Sequence, residues 1–465
     1  MSIYQNKRGT AARWIELNPV LADGEIGVET DNTSKFKIGD GNQTWLQLPY
    51  AGAPSGGTTG ATGPKGATGS SDGLTLQYHL DLTYSGFLPP VLYTISDSVI
   101  PFTGGTGTGT LMEYNNLSGL FIDNISIVSS GTPVGITFNN LVGVKTGFAI
   151  QQLDSLLLIS CPILFSGPVN ITNCNNLSSI YFPQLTYSDI SLGNLGTTGI
   201  DFPSFTSGSI DINSVPITTL DLESFTYGGG FNILNTPTLN SISFPLLTEA
   251  LVNFVLTDCS SLTSVSMPSF ITSGADITIL NIPATSFNFS SLTNIGGSLN
   301  LDSLQITDMS SFASVQNIVN SIILNNMQPS FTTLSMPNLK LLSGGGINAN
   351  ASDTYIDSIL LPSIVRYISG LVISAPAVLA TVQIGTIGTL KEVDTGINIQ
   401  GVALSQMSVD DILAILVSLD GTNGTTLFGP GETVNLSGGT SSAPSVTGQA
   451  DAATLISRGA TVITN

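Results

Sequence analysis

The chain has 465 residues, of which 41% are apolar and only 9% charged, and its net charge is −20 with just 11 basic side chains. This length allows two or three domains with a continuous core, but so few Lys and Arg residues make nucleic acid a poor partner. No run of roughly 18 apolar residues occurs and the N-terminus lacks a signal-peptide pattern, so we expect neither membrane insertion nor signal-dependent secretion.

Residues 1–52 form the first predicted domain, and they contain both tryptophans of the chain. Segments 24–29 and 36–41 alternate apolar and polar residues beside Asp-Gly pairs, which are strong hairpin signals. The pattern predicts a small all-β unit. A unit of this size is expected to need partner chains for its stability.

The same region carries a dense set of motif residues. They are Arg8, Trp14, Asn18, Gly24, Glu25, Gly27, Phe36, Gly39, Asp40, Gly41 and Trp45. Together they resemble the N-terminal module of phage tail-fibre and head-fibre proteins, similar to that of phage tropism determinants. The resemblance implies a trimeric β-structure that anchors a receptor-binding fibre to the virion.

Residues 53–72 contain glycine at every third position from Gly57 to Gly69. This spacing is typical of a collagen-like neck, because only glycine fits at the axis of three wound chains. A flexible Gly/Thr linker is the alternative. Residues 73–109 are expected to connect the neck to the next domain and to cap its first turn.

Residues 110–404 contain a repeat, marked by an apolar tag whose second residue is Phe182, Phe202, Leu222, Phe244 or Met267. Its period of 20–23 residues predicts stacked turns, roughly ten in number. An apolar alternation such as Ile190-Ser-Leu192 marks one strand of each turn. The unit resembles a leucine-rich repeat of the BspA-like kind, and a side-chain amide ladder is expected where the chain turns.

Residues 405–465 predict a small α/β C-terminal cap, which a solenoid needs to cover its last turn. A capping box at Ser408 predicts a helix through Leu419 with Gly421 as its C-cap. A second helix is predicted over residues 449–458 and a final strand over 461–464. The fold class is therefore mainly β.

Side chains suited to catalysis are scarce. His79 is the only histidine, so triads and zinc clusters lack their usual residues, and we expect no catalytic, metal or cofactor site. Cys161, Cys174 and Cys259 are interpreted as buried residues that share one slot of the repeat.

Two sets of polar side chains remain as candidates for ligand binding. Asp201 and Asp221 hold the same tag position in adjacent turns, where a cation or a hydroxyl-rich ligand would bridge them; two solvated carboxylates are the alternative. A sugar-binding surface is a weaker hypothesis, and its tyrosines would be Tyr114, Tyr181, Tyr187, Tyr227, Tyr355 and Tyr367.

The main functional hypothesis is a homotrimeric phage fibre of the virion, on tail or head. Its N-terminus would attach to other virion structural proteins, and its repeat domain would bind a host cell-surface glycan or protein. One alternative is a capsule depolymerase, which the scarcity of Asp, Glu and His disfavours. The other is a purely structural head-decoration fibre.

Overall fold

The computed structural model describes residues 7–31, 36–48, 94–96, 110–113, 120–128, 133–138, 141–349 and 355–465. The chain divides into two units, residues 1–91 and 92–465. The predicted collagen-like neck, His79 and Tyr114 lie outside the described residues. Within the described part, no helix is both long and apolar enough to span a membrane.

The described part of the first unit, residues 7–31 and 36–48, contains a three-stranded sheet and a helix. The elements are β1 (Lys7–Gly9), α1 (Ala11–Leu17), β2 (Ile26–Glu29) and β3 (Phe36–Ile38). Strand β2 lies between β1, which runs parallel to it, and β3, which runs antiparallel.

The prediction of an all-β unit was wrong because of helix α1. Its N-cap is Thr10, whose side chain accepts a hydrogen bond from the Arg13 amide, and its C-cap is Asn18 in the left-handed region. Both are favoured capping residues. The Ala-Ala-Arg start of the helix also has high helix propensity.

The second unit is a β-solenoid of about 13 turns, somewhat more than the sequence predicted. Its longest ladder pairs one strand of each turn in parallel with the next, as Ile190 with Ile210 and Leu192 with Ile212. The strands of this first ladder are β4 (Thr94–Ser96), β6 (Leu120–Val128), β8 (Leu141–Gln151), β10 (Val169–Cys174), β12 (Ile190–Leu195), β13 (Ser207–Asn213), β15 (Tyr227–Leu234), β18 (Phe254–Thr257), β21 (Ile277–Leu280), β24 (Leu299–Asp302), β26 (Ser321–Asn325), β29 (Gly346–Ala349), β32 (Leu371–Ser374), β35 (Gly396–Ile399), β36 (Thr433–Asn435) and β37 (Thr461–Ile463).

Two further ladders of parallel strands complete the turns. The second ladder continues from the start of β15 through β17 (Glu249–Ala250), β20 (Thr272–Ser273), β23 (Asn294–Ile295), β25 (Asn317–Ile318), β28 (Leu341–Leu342), β31 (Arg366–Tyr367) and β34 (Glu392–Val393). The third ladder comprises three sets, namely β5 (Thr110–Glu113), β7 (Pro133–Thr137), β9 (Leu158–Ser160) and β11 (Ser179–Tyr181); β14 (Thr219–Asp221), β16 (Ser241–Ser243), β19 (Ser264–Ser266) and β22 (Phe287–Asn288); and β27 (Thr333–Ser335), β30 (Ser358–Leu360) and β33 (Thr381–Gln383).

The interior of the solenoid is one continuous apolar core. Phenylalanines from successive turns contact each other along its length, with Phe205 and Phe225 stacked at a centroid distance of 4.9 Å. The alternation of buried and accessible residues along the first ladder confirms the predicted strands, because each strand buries one face.

A column of residues in the left-handed region ends the strands of the first ladder. Their φ angles lie between 48° and 58°, and Asn tolerates this conformation better than most residues. The side chains bond from turn to turn, as Asn194 Nδ2 to Asn173 Oδ1 at 2.9 Å. The column comprises Gln152, Asn173, Asn194, Ser214, Asn235, Asp258, Asn281, Ser303 and Asn326.

Hydroxyl side chains satisfy backbone carbonyls at the corner that contains the tag. Ser204 Oγ donates to the Pro183 carbonyl at 2.7 Å and Ser224 Oγ to the Pro203 carbonyl at 2.8 Å, each reaching the preceding turn. These bonds need no charge, since the acceptor is a backbone carbonyl. They give a physical reason for a Ser- and Thr-rich surface with few charged residues.

The C-terminal segment contains helices α2 (Gln406–Val417) and α3 (Val446–Ser457). Helix α2 begins before the predicted position, because Ser405 is its N-cap and accepts from the Ser408 amide. Ser408 is instead a buried residue of the first turn, and its Oγ accepts from the Val382 amide at 3.2 Å. The predicted second helix and final strand are present.

Candidate functional site

Two tryptophans form the core of the N-terminal module, residues 7–48. The Trp14 and Trp45 rings stack at a centroid distance of 4.3 Å and an angle of 13°, and Trp14 Nε1 donates to the Val28 carbonyl at 3.0 Å. Gly27 lies against both rings, where an added Cβ would come within 2.5 Å of Trp45. These three motif residues therefore shape the fold of the module.

Other motif residues fix its turns. Asn18 has a φ of 38° and its Oδ1 accepts from the Leu46 amide at 2.9 Å. Gly24 and Gly41 have φ angles of 76° and 73°, which favour glycine. Asp40 accepts from the Gln43 and Asn42 amides, and these hydrogen bonds lower the pKa of its carboxyl.

Gly39 is needed for close backbone approach. An added Cβ would come within 2.2 Å of the Ala22 carbonyl oxygen, a separation at which the atoms clash. The backbone of Gly39 therefore packs directly against Leu21 and Ala22.

Two lysines also hold the module, and the sequence analysis assigned a role to neither. Lys7 Nζ lies 2.9 Å from Glu25 Oε1, and this lysine is the main cause that lowers the pKa of Glu25. Lys37 is buried, donates to the Trp45 carbonyl at 2.7 Å and lies 5.1 Å from the Trp45 ring. Burial lowers the pKa of Lys37, and the charge of Glu29 opposes that effect.

The remaining motif residues are more accessible. Arg8 is exposed on β1 and Phe36 is half-buried on β3. Five apolar side chains of the module are about half exposed and are accessible for contact with another chain. They are Ile15, Leu17, Val20, Ile38 and Leu46.

Asp201 and Asp221 occupy corresponding positions of adjacent turns in the third ladder. Asp201 pairs with Tyr181 and Asp221 with Ser243, and both carboxylates are exposed. Among the described residues, no group of three or more His, Cys, Asp or Glu side chains is arranged to hold a metal ion. Binding of a ligand between the two aspartates stays a prediction.

The proposed tyrosine surface needs one correction. Tyr367 is fully buried, and its hydroxyl donates to the Ile384 carbonyl at 3.4 Å. Burial raises the pKa of this phenol. Tyr181, Tyr187, Tyr227 and Tyr355 are exposed, but the apolar residues that surround Tyr367 in the core exclude it from any surface site.

The prediction that the three cysteines share one slot was also partly wrong. Cys174 and Cys259 both follow the left-handed residue at a strand end. Cys161 instead corresponds to Phe182 of the tag, because Ser160 pairs with Tyr181. All three are buried and free.

Their burial predicts low reactivity. Burial is the largest cause raising the pKa of each thiol, and the thiolate is the reactive form. A thiol reagent at about pH 8 is therefore expected to leave the folded protein unlabelled and to label three thiols per chain after denaturation. Rapid labelling of the folded chain would contradict this burial.

Residues 5–43 match the family model described as the major tropism determinant N-terminal domain, which covers less than a tenth of the chain. No curated protein matches the chain, and no solved structure matches it. The matched segment contains helix α1, the sheet and most of the turn residues described above. The match supports a phage fibre-like, virion-associated protein.

Proposed function

We propose that the chain is a homotrimeric phage fibre that attaches to other virion structural proteins through its N-terminal module. Its solenoid then binds a glycan or protein on the host cell surface. The observation that carries this proposal is the tropism-determinant match over residues 5–43, which coincides with a module folded around its own tryptophan core.

The half-exposed apolar residues of the module support the trimer. Leu46 and Leu17 are each 56% exposed, and the Leu46 amide donates to the side chain of Asn18, the residue after Leu17. Exposed apolar side chains on neighbouring segments support contact with another chain.

Leu46→Glu is expected to shift the full chain from trimer towards monomer, because a carboxylate would be buried between subunits without a partner. Light scattering after size-exclusion chromatography would measure the mass, with Gln43→Glu as a control that adds the same charge at an exposed turn. A wild-type chain running at its monomer mass of 48.2 kDa would contradict the trimer.

The neck and the repeat type complete this proposal. Glycine at every third position supports a collagen-like neck over residues 53–72 if three chains run in parallel. Cys174, Thr236 and Cys259 are buried after the strand end, at the position where the leucine-rich pattern has Asn or Cys. This correspondence supports a leucine-rich-repeat-type solenoid.

We propose a binding role rather than catalysis for the solenoid. Support comes from Asp201 and Asp221, which are exposed on a ladder surface, whereas glycosidase carboxylates flank a bound sugar. A fall in the viscosity of host capsule on addition of the purified protein would favour the depolymerase alternative.

Adsorption competition tests the proposed function. Purified full-length protein, added to cells of the bacterium that the phage infects, is expected to be retained on the cells and to reduce the rate of phage adsorption. Heat-denatured protein at the same concentration serves as the control. Failure of the folded protein to bind the cells would reject receptor binding and leave the head-decoration alternative.

A further inference from the structure

Some polar side chains on the outward face of the first ladder bond to one another from strand to strand. Asn232 Nδ2 donates to Asp211 Oδ1 at 3.0 Å, and Asn300 Nδ2 donates to Thr278 Oγ1 at 3.1 Å. Each such pair joins residues in register on adjacent strands. These contacts satisfy the Nδ2 donors of Asn232 and Asn300 within the protein itself.

This pattern is interrupted near the C-terminal end of the ladder. One outward column runs from Gly346 through Val372 and Asn398 to Asn435. Gly346 has no side chain and Val372 has no polar atom, so Asn398 lacks a hydrogen-bonding neighbour on that side. The Oδ1 atom of Asn398 is buried and has no hydrogen-bond partner.

Two depressions open on either side of this interruption, and Val372 and Asn398 line both. One has a volume of 280 Å³ and extends towards Asn348, Ser374 and Gln400. The other has a volume of 210 Å³ and extends towards Thr433 and Asn435. Asn170 and Asn300 also carry an unpartnered Oδ1, but Asn398 is the one set between these two depressions.

The residues of the two depressions define the chemistry of a ligand. They are amides, hydroxyls, glycine and aliphatic side chains, without a charged group. Val372 is 48% exposed and presents an apolar surface between polar neighbours. An uncharged ligand with hydroxyl groups and a C–H face matches this set, because its hydroxyls can hydrogen-bond to the amide and hydroxyl side chains that line the depressions and its C–H groups can pack on Val372.

We propose that this surface is a binding site for a neutral oligosaccharide, with consecutive sugar rings on the two sides of Val372 and Asn398. The two residues lie on adjacent strands, about 4.8 Å apart along the solenoid axis. Each depression is smaller than a drug-sized pocket of about 300–1,000 Å³, which suits one ring at a time. The assignment rests on the proposed function, since it names the class of host ligand that the solenoid recognises.

Binding of labelled full-length protein to immobilised oligosaccharides tests the site. The array would contain neutral glucan, galactan, rhamnan and N-acetylhexosamine oligomers beside uronate-containing anionic ones. The wild-type chain is expected to bind at least one neutral oligomer. Val372→Arg is expected to weaken that binding about tenfold or more, because the long cationic side chain would obstruct the surface between the depressions and removes the apolar contact.

Two further variants separate binding from folding. Val255→Arg makes the same change at an outward valine of β18, distant in the ladder, and is expected to bind as the wild type does. Asn398→Leu removes a side-chain amide whose Oδ1 has no partner in the free protein, so its melting temperature should not fall. Binding should weaken about tenfold, because the leucine changes the lining of both depressions and cannot form hydrogen bonds.

Three outcomes would overturn the site. They are absence of binding to every neutral oligomer, binding confined to anionic oligomers, and equal binding by the Val372→Arg and Val255→Arg proteins. If the wild type still blocks phage adsorption in any of these cases, the proposed function stands without this site. If Val372→Arg abolishes cell binding but no free oligosaccharide binds, the surface recognises a protein and the glycan assignment is wrong.

Discussion

Phe225→Ala is expected to destabilise the central turns of the solenoid by about 3–5 kcal/mol. The Phe225 ring is fully buried and contacts the rings of Phe205, Phe231 and Phe244 at centroid distances of 4.9, 5.5 and 5.7 Å. Removing it leaves a cavity that stacked strands cannot close without losing their register. The free-energy cost of this cavity adds to the transfer free energy that is lost with the ring.

Amide hydrogen exchange is the appropriate measurement, because solenoid turns can open locally. Amides around residues 202–244 should exchange faster in the variant, and those of the C-terminal cap should change much less. Phe165→Ala is the matched control, since that ring is 50% exposed and its loss should have little effect. Equal exchange in Phe225→Ala and Phe165→Ala would show that the aromatic core does not stabilise these turns.

Trp45→Ala is expected to unfold the N-terminal module and to remove the protein from virions. Trp45 is 1% exposed, and the buried core of the module is completed by Trp14, Leu21 and Leu48. Deleting a large core aromatic costs about 3–5 kcal/mol, which is comparable to the whole stability of so small a unit. The Lys37 amine would also lose the ring beside it.

Incorporation into particles would be measured by complementing a phage that lacks this chain with wild-type or variant protein and blotting purified virions. Gln43→Ala controls for a change at a nearby but exposed residue, and it should be incorporated far better than Trp45→Ala. Normal incorporation of Trp45→Ala would show that attachment does not depend on the folded module.

The repetitive part of the fold was predictable because its rules are local. The Ile190-Ser-Leu192 alternation predicts a strand with one buried face, and both apolar residues are buried in the structure. The tag spacing likewise predicted stacked turns. The count was low because the turns around Phe138 and Cys161 have weak tags and the tag spacing after Met309 is irregular.

Several errors arose where tertiary packing decides among acceptable local choices. Serine is a favoured N-cap residue, so Ser405 and Ser408 are both suitable for that position. Ser405 is the N-cap, whereas the Ser408 hydroxyl accepts a hydrogen bond from the Val382 amide. Tyr367 was assigned to a surface, yet its position in the second ladder points inward. The periodicity of the sequence does not show which residue of a strand points into the core when the strand has only two residues.

The candidate glycan site was not accessible to sequence reasoning. Val372 and Asn398 are 26 positions apart in sequence, and only the register of β32 with β35 brings them side by side. Asn and Val are ordinary outward residues on a strand, so neither stands out. The signal lies in the absence of a partner for Asn398 Oδ1, which requires coordinates.

Imaging of purified virions with an antibody against the solenoid tests the central claim most directly. A fibre attached through its N-terminal module should place the label at a defined structure on tail or head, and removal of residues 1–52 should abolish it. Virions that carry no label, or that keep the label after this deletion, would contradict the assignment of the chain as a fibre attached by its N-terminus.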